Sequence, residues 1–202
     1  STVYWFRYDP IKWTILDESD GKALILADLA LDSQQYYRDA YEGTKTRNGR
    51  SVYASDYVES DIRKWLNDTF YNVAFNDLQK ALIETTAIDN KTTGYNTNKY
   101  NSNQIDTEDK IFLLSYKDVF KTSAYFNSDA ARQKKSTDYA KSQGCWTSTN
   151  SSYAGNCYWW LRSPNNNNSN NAYNVNNDGD NDNNNVNNTN NGVVPALTIR
   201  LG

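Results

Sequence analysis

The feature that most constrains this chain is an asparagine-rich tract at residues 165–191, which lies between two apolar segments. Seventeen of its twenty-seven residues are Asn. That composition alone is typical of a disordered, low-complexity segment. However, residues 157–163 and 192–201 on either side have the apolar character of core strands, which would hold both ends of the tract on a sheet. We therefore expect the tract to be an ordered excursion of the fold surface.

The other residues of the tract support an ordered structure. Tyr173 and Val175 are two residues apart, like inward-facing positions of a strand, and Val186 is a further apolar anchor. Asp178 and Gly179 form a strong hairpin-turn signal. Because Asn is short, polar and tolerant of turn conformations, a scaffold that accepts it this often leaves those positions free to vary. The predicted ligand-contacting positions are the tract asparagines, namely Asn165, Asn166, Asn167, Asn168, Asn170, Asn171, Asn174, Asn176, Asn177, Asn181, Asn183, Asn184, Asn185, Asn187, Asn188, Asn190 and Asn191.

The strand predicted before the tract has two sets of side chains that point in opposite directions. One set is Cys157, Trp159 and Leu161, and the other is Tyr158, Trp160 and Arg162. Arg162 is compatible with binding an anionic ligand. An Arg on a core strand more often forms a buried structural ion pair, so we expect an ion pair here.

Periodicity and turn signals in the rest of the chain predict an α+β fold in one domain, residues 1–202. Residues 89–104 form a long loop, which suggests function or disorder. Loop tyrosines can join a binding face or cover the core; they are Tyr95, Tyr100 and Tyr153.

The first helix is expected to start at a capping box formed by Asp56 and Glu59, and the second at Asn76. The predicted strands are 3–8, 11–16, 22–27 and 110–116, and the predicted helices are 56–67, 76–83 and 136–141.

Composition excludes several classes of function. The chain has no His, so a Ser-His-Asp triad, a Cys-His nucleophile and a His-containing metal site are all excluded. The 21 basic and 24 acidic residues include no basic run, so we expect no nucleic-acid partner. No apolar window is long enough to span a membrane, and we expect no membrane insertion by this domain. The chain contains no Met, even at position 1, so we expect it to be part of a longer chain.

Two small groups of residues leave alternatives open. Cys145 and Cys157 are separated by eleven residues, a spacing that fits a disulfide or two reduced thiols equally well and fits no zinc pattern. Asp178, Asp180 and Asp182 alternate like the first ligands of a calcium loop. The loop lacks the Gly and the Glu that should follow, so turn carboxylates are the favoured interpretation and no cofactor is expected.

Most of the chain resembles a known family of bacterial domains. The segments Tyr158-Trp-Trp-Leu-Arg-Ser-Pro164 and Gly192-Val-Val-Pro-Ala-Leu197 are similar to its C-terminal signature, and Trp13-Thr-Ile-Leu16 and Ser60-Asp-Ile-Arg-Lys-Trp-Leu-Asn67 resemble its N-terminal half. The family has the C-type lectin fold of the formylglycine-generating-enzyme-like type. Its members include the variable proteins of diversity-generating retroelements. Val194 stands where the family pattern has Arg.

The resemblance implies a non-enzymatic, ligand-binding display protein. In these systems a reverse transcriptase copies a template repeat with errors at adenine, so the asparagine codons AAC and AAT are favoured targets. The tract would then present variable side chains to a protein or surface ligand, on a bacterial cell surface, outside the cell or on a phage particle. The alternative is an oxidase related to the formylglycine-generating enzyme that uses Cys145 and Cys157. That enzyme's cysteines are spaced more closely and lie in a different motif, so we favour the binding protein.

Overall fold

The computed structural model of the protein describes residues 3, 5, 6, 9–94, 96 and 98–202. The fold is α+β, as predicted, with most of its regular structure in sheets and only short helices. The strands are β1 (Trp13–Ser19), β2 (Lys22–Ala27), β3 (Asp32–Ser33), β4 (Thr44–Arg47), β5 (Arg50–Tyr53), β6 (Thr86–Ile88), β7 (Thr107–Asp109), β8 (Trp159–Pro164), β9 (Asn171–Val175), β10 (Asn181–Asn185), β11 (Gly192–Val193) and β12 (Ala196–Arg200). The helices are α1 (Asp61–Trp65), α2 (Tyr71–Ala74), α3 (Asp77–Lys80), α4 (Lys99–Ser102), α5 (Asp129–Arg132) and α6 (Asp138–Ser142), with π-helical segments at Leu66–Phe70 and Asp118–Thr122.

A three-stranded antiparallel sheet has the order β1-β2-β12. The strand predicted at 22–27 is confirmed, and the strand predicted at 11–16 begins and ends slightly later as β1. The strand ranges 3–8, 11–16 and 22–27 suggest an antiparallel meander paired in chain order, and β1 and β2 do pair in this way. The C-terminal β12 lies on the other side of β2, and the strand predicted at 3–8 falls partly on Tyr4, Arg7 and Tyr8, which lie outside the described residues.

A five-stranded sheet with the order β10-β9-β8-β11-β3 carries most of the tract. Its β8–β11 pair is parallel and its other pairs are antiparallel. The apolar segment after the tract, which was predicted as one strand, is divided at Pro195 into β11 and β12. A proline nitrogen cannot donate to a strand ladder. This break lets β11 join the five-stranded sheet while β12 joins the three-stranded sheet.

Core side chains cover both faces of the five-stranded sheet, and they alternate along β8 as predicted. Trp159 and Leu161 pack in one hydrophobic cluster with Cys157, whereas Trp160 packs in a second cluster. Both tryptophans are fully buried. The same alternation continues on the neighbouring β9, because Tyr173 belongs to the first cluster. Core packing on both faces of the sheet therefore holds the backbone of β9, which is part of the tract, in place.

The helices differ from prediction in their starts and in one buried face. The N-cap of the first helix is Ser60, whose hydroxyl accepts a hydrogen bond from the Arg63 amide at 3.2 Å. The capping box predicted at Asp56 and Glu59 was therefore wrong. Asp56 accepts from the Glu59 amide in the preceding turn instead. The cap at Asn76 is confirmed. Leu78 has the helical spacing of an inward-facing position in the predicted helix 76–83, but it is 83% exposed, and α3 has no buried residue.

The segment predicted as a strand at 110–116 is mostly buried but contains little strand. Residues 111–114 lie in the core as predicted, although only Phe112 forms a bridge, to Ala196. The long loop at 89–104 contains α4 and is packed against β8, since the Ser163 hydroxyl donates to the Thr93 carbonyl at 2.7 Å. Tyr100 in this loop is buried, whereas Tyr95 lies outside the described residues.

Candidate ligand-binding surface

The tract forms a β-hairpin, β9–β10, followed by a loop that leads into β11. Its apolar residues and its single internal glycine point into the protein. These buried scaffold residues are Ala172, Tyr173, Val175, Gly179 and Val186. The predicted inward positions, hairpin turn and apolar anchor are therefore confirmed, and they hold the tract backbone in place.

The hairpin turn is docked against the segment around α5. Gly179 has a φ of +95°, and a Cβ added there would collide with the backbone carbonyl of Asp129. The Arg132 side chain donates to the Gly179 carbonyl at 2.8 Å, and Gln133 donates to the Asp178 carbonyl at 2.8 Å. Only glycine therefore fits at this position without a shift of the turn.

Gly179→Ala should destabilise the domain more than an alanine at another left-handed glycine does. Gly49 is the matched control, because its φ is +77° and an added Cβ would meet nothing within 4 Å. We expect Gly49→Ala to cost about 1 kcal/mol from backbone strain, and Gly179→Ala to cost at least about 2 kcal/mol because the steric clash adds to the strain. Urea denaturation of both variants measures the difference. Equal losses would show that the turn does not depend on this contact.

Three tract asparagines lie inside the fold and cannot contact a ligand in this conformation. They are Asn165, Asn174 and Asn191, which are 4%, 0% and 0% exposed. The Asn165 carboxamide oxygen accepts from the amides of Asn167 and Asn168, and so shapes the turn after β8. These three residues are removed from the predicted ligand-contacting set because burial gives their side chains a structural role.

The remaining fourteen tract asparagines are exposed or half-buried, and we call them the display asparagines. They are Asn166, Asn167, Asn168, Asn170, Asn171, Asn176, Asn177, Asn181, Asn183, Asn184, Asn185, Asn187, Asn188 and Asn190. Their contacts to ligands stay a prediction. Burial nevertheless divides the tract by residue type, with apolar residues inside and most asparagines at the surface.

Hydrogen bonds of the display asparagines are mostly local. The Asn171 amide donates to the Asn183 carboxamide oxygen across β9 and β10 at 2.8 Å. The Asn188 oxygen accepts from the Asn190 backbone amide at 2.8 Å in the loop after β10. Such partly exposed hydrogen bonds contribute about 1 kcal/mol or less each, because water replaces them easily. Other polar or aromatic side chains can therefore replace these asparagines at low cost.

The display asparagines follow the edge of the five-stranded sheet. β10 is the edge strand, and its five residues span about 17 Å. The turn at 176–180 lies at one end of the hairpin, and the loops at 166–170 and 187–190 lie at the other. The candidate surface is therefore elongated, and it extends beyond one compact patch.

Features outside the tract border this surface. Trp146 is 39% exposed and stacks on Tyr158 with 4.7 Å between ring centroids and 10° between ring planes. The Trp146 amide donates to the Asn190 carbonyl at 2.9 Å, which attaches this aromatic pair to the tract. On the other side of the loop after β10, a cleft of about 630 Å³ is lined by Gln34, Trp65 and Thr189 among others. Neither feature was recognised from the sequence, because long-range packing forms both.

The three aspartates of the tract make turn contacts. Asp178 accepts from the Asp180 amide at 3.1 Å, and Asp182 accepts from the Asn183 amide at 2.8 Å. Within the described residues, no three acidic or cysteine side chains are grouped so that they could hold a metal ion. The turn-carboxylate interpretation is the one these contacts favour.

Arg162 and the two cysteines also have defined places. Arg162 is buried and pairs with Asp118 at 2.7 Å, while it also donates to the Leu113 carbonyl at 2.8 Å, so the predicted structural ion pair is confirmed. Cys145 and Cys157 are both buried, free thiols of the same hydrophobic cluster, and they lie close enough for each to shift the pKa of the other. The Cys145 thiol donates to the Trp146 carbonyl at 3.7 Å, and the Cys157 thiol donates to the Lys134 carbonyl at 3.4 Å. The sequence alone could not show that they meet.

Comparisons with known proteins give one match. A family model described as a domain of unknown function, DUF6273, matches residues 20–201. Neither the curated proteins nor the solved structures contain a match to the chain. In the described part of the chain, no helix is long and apolar enough to cross a membrane. Because the family model matches nearly the whole chain, including all of the tract, this chain belongs to the DUF6273 family.

Proposed function

We propose that this chain is a ligand-binding domain that presents the display asparagines as a replaceable contact surface on a fixed scaffold. The observation that carries the proposal is the division of the tract by burial. Each apolar residue of the tract is buried, whereas fourteen of the seventeen asparagines are not. A binding surface that must change its side chains without changing its fold requires this division.

The proposal extends to how the surface changes. The tract has the asparagine content expected of a variable region whose AAC and AAT codons are targets of retroelement-driven adenine mutagenesis. The resemblance of the flanking segments to variable proteins with a C-type lectin fold of the formylglycine-generating-enzyme-like type supports this extension. The partner would be a protein or surface ligand, met at a bacterial cell surface, outside the cell or on a phage particle.

The oxidase alternative has less support. An oxidase that uses Cys145 and Cys157 must bring its substrate to the sulfur atoms, but these residues are only 5% and 0% exposed. Core residues surround both side chains, since both belong to the hydrophobic cluster that contains Trp159. The geometry therefore favours the non-enzymatic binding function.

Replacement of four exposed display asparagines together should leave stability almost unchanged. We choose Asn167, Asn168, Asn181 and Asn187, which are all exposed. Exposed surface substitutions usually change the free energy of unfolding by no more than about 0.5 kcal/mol each, so the fourfold Ser variant should keep its thermal midpoint within a few degrees. Tyr173→Ser is the matched control in the same tract. It should cost about 3 kcal/mol or more, because Tyr173 is buried. Unfolding of the fourfold variant would contradict the proposal.

A selection experiment tests the binding function. A library with Asn, Ser, Tyr or Asp at each display asparagine would be displayed and selected against an immobilised unrelated protein, such as lysozyme. The parent chain should bind weakly or not at all, because an all-asparagine surface lacks the aromatic and Arg anchors that dominate binding energy. The library should yield binders, because Tyr supplies contact area at small entropic cost.

The matched control is a library of equal size at exposed positions of β1 and of the β4–β5 hairpin. The proposal predicts more folded members and more binders from the tract library than from this control. Equal yields from the two libraries would show that the tract has no special role in presenting side chains.

A further inference from the structure

Two cysteine-aromatic dipeptides meet at the border of the display surface. Cys145 precedes Trp146, and Cys157 precedes Tyr158. The two thiols lie close together in one hydrophobic cluster inside the fold, while the two rings stack outside it at 4.7 Å. The inner sulfur pair and the outer aromatic pair therefore belong to the same two short stretches of backbone.

Two backbone hydrogen bonds attach this unit to the end of the tract and to the start of β11. The Trp146 amide donates to the Asn190 carbonyl at 2.9 Å, and the Gly192 amide donates to the Tyr158 carbonyl at 2.7 Å. A Cβ added at Gly192 would lie 3.3 Å from the Cys145 sulfur. The space around the thiols is thus closely packed, and the backbone of β11, directly after the tract, forms one of its walls.

We propose that Cys145 and Cys157 form a reversible disulfide, and that its formation repositions the Trp146–Tyr158 pair and the end of the tract beside it. Two sulfur atoms that are not bonded stay at least a van der Waals distance apart, so they must approach by more than about 1 Å to reach the bond length of about 2.05 Å. Close-packed interiors transmit such displacements. The redox state of the two cysteines then determines the position of the aromatic pair at the border of the display surface. The importance of this change for ligand binding rests on the proposed function.

The reaction needs an oxidant, and a small-molecule disulfide provides one. The Cys145 thiolate attacks one sulfur of that disulfide, which releases a first thiol and leaves Cys145 in a mixed disulfide. Cys157 then loses its proton, and its sulfur attacks the Cys145 sulfur and releases a second thiol. The protein gives up two electrons and two protons, and the oxidant takes up both.

The environment of the two thiols fits this order of attack. The neighbouring Cys157 thiol lowers the pKa of Cys145, whereas the neighbouring Cys145 thiol and burial raise the pKa of Cys157 well above its usual range. Cys145 is also the more exposed of the two, and it lies between α6 and β8 in a segment without strand or helix. Local opening of such a segment costs less than global unfolding and would admit a small oxidant.

The test is a thiol titration of the folded protein in buffers of oxidised and reduced glutathione, a linear disulfide and its thiol. The expected result is that both thiols disappear together, that intact mass shows the loss of two hydrogens without an adduct, and that excess reduced dithiothreitol restores both. The near-ultraviolet circular dichroism should change in step with the titration. In Trp146→Phe the thiols should still close, but most of the spectral change should be lost.

Several results would overturn the proposal. These are thiols that react only after unfolding, a stable mixed disulfide on one cysteine, or closure without any spectral change. Cys145→Ala and Cys157→Ala serve as controls that must not form the intramolecular bond. The wild-type titration alone remains decisive if either variant fails to fold. None of these measurements uses a ligand, so their failure is distinguishable from a failure of the tract library to yield binders.

Discussion

Trp160→Ala should lower the free energy of unfolding by about 3 to 5 kcal/mol, which is a large part of the stability of a domain of this size. Trp160 is fully buried in β8, and its indole nitrogen donates to the Gln34 carbonyl at 2.9 Å. Its ring also makes an edge contact with Tyr36 at 5.7 Å. The truncation would leave a large cavity and an unpaired carbonyl beneath the tract. Urea denaturation followed by far-ultraviolet circular dichroism measures the loss.

Trp146→Ala is the matched control for this prediction. Trp146 is 39% exposed, and its main contact is the stack on Tyr158. Loss of a partly exposed aromatic pair should cost about 0.5 to 1.5 kcal/mol. Equal losses from the two substitutions would mean that β8 is not the structural support of the tract.

Arg162→Met should lower the free energy of unfolding by about 3 kcal/mol. Removal of one partner of a buried ion pair usually costs about 3 to 5 kcal/mol because the other charge is left unpaired. Here the lower end of the range applies, because the Asp118 side chain is 36% exposed and water can solvate it. The Leu113 carbonyl would also lose its hydrogen bond from Arg162. Chemical denaturation at neutral pH measures the change.

The control for Arg162 is a surface ion pair. Lys141 pairs with Asp138 at 3.1 Å, but both side chains are well exposed, so Lys141→Met should cost no more than about 1 kcal/mol. If Arg162→Met costs as little as Lys141→Met, the pair is not structural. Binding of an anionic ligand would then be the favoured role of Arg162.

The parts of the fold that the sequence predicted well depend on local patterns. Alternation with a period of two placed Trp159 and Trp160 on opposite faces of β8, and this was confirmed. The turn at Asp178 and Gly179 was recognisable because few residues other than Gly accept its backbone conformation. Local propensities also located the cap at Asn76.

The parts of the fold that the sequence predicted wrongly depend on long-range packing. Leu78 fits a helical apolar pattern, but whether such a face is covered depends on other elements, and here it is exposed. In the sequence, Asn174 looks like its neighbours in the tract. The structure buries it between Trp160 and Asp182 on adjacent strands, where neither side-chain amide atom has a hydrogen-bond partner among the described residues. No local signal in an asparagine-rich segment could have separated the buried asparagines from the display asparagines.

The measurement that tests the central claim most directly is sequencing of the encoding locus from many cells of one culture. The account predicts a near-identical repeat nearby, a reverse transcriptase gene, and substitutions concentrated at the codons of the display asparagines. It also predicts that the scaffold residues Ala172, Tyr173, Val175, Gly179 and Val186 stay constant, because they hold the backbone. Substitutions spread evenly over asparagine and scaffold codons, with no such repeat, would contradict it.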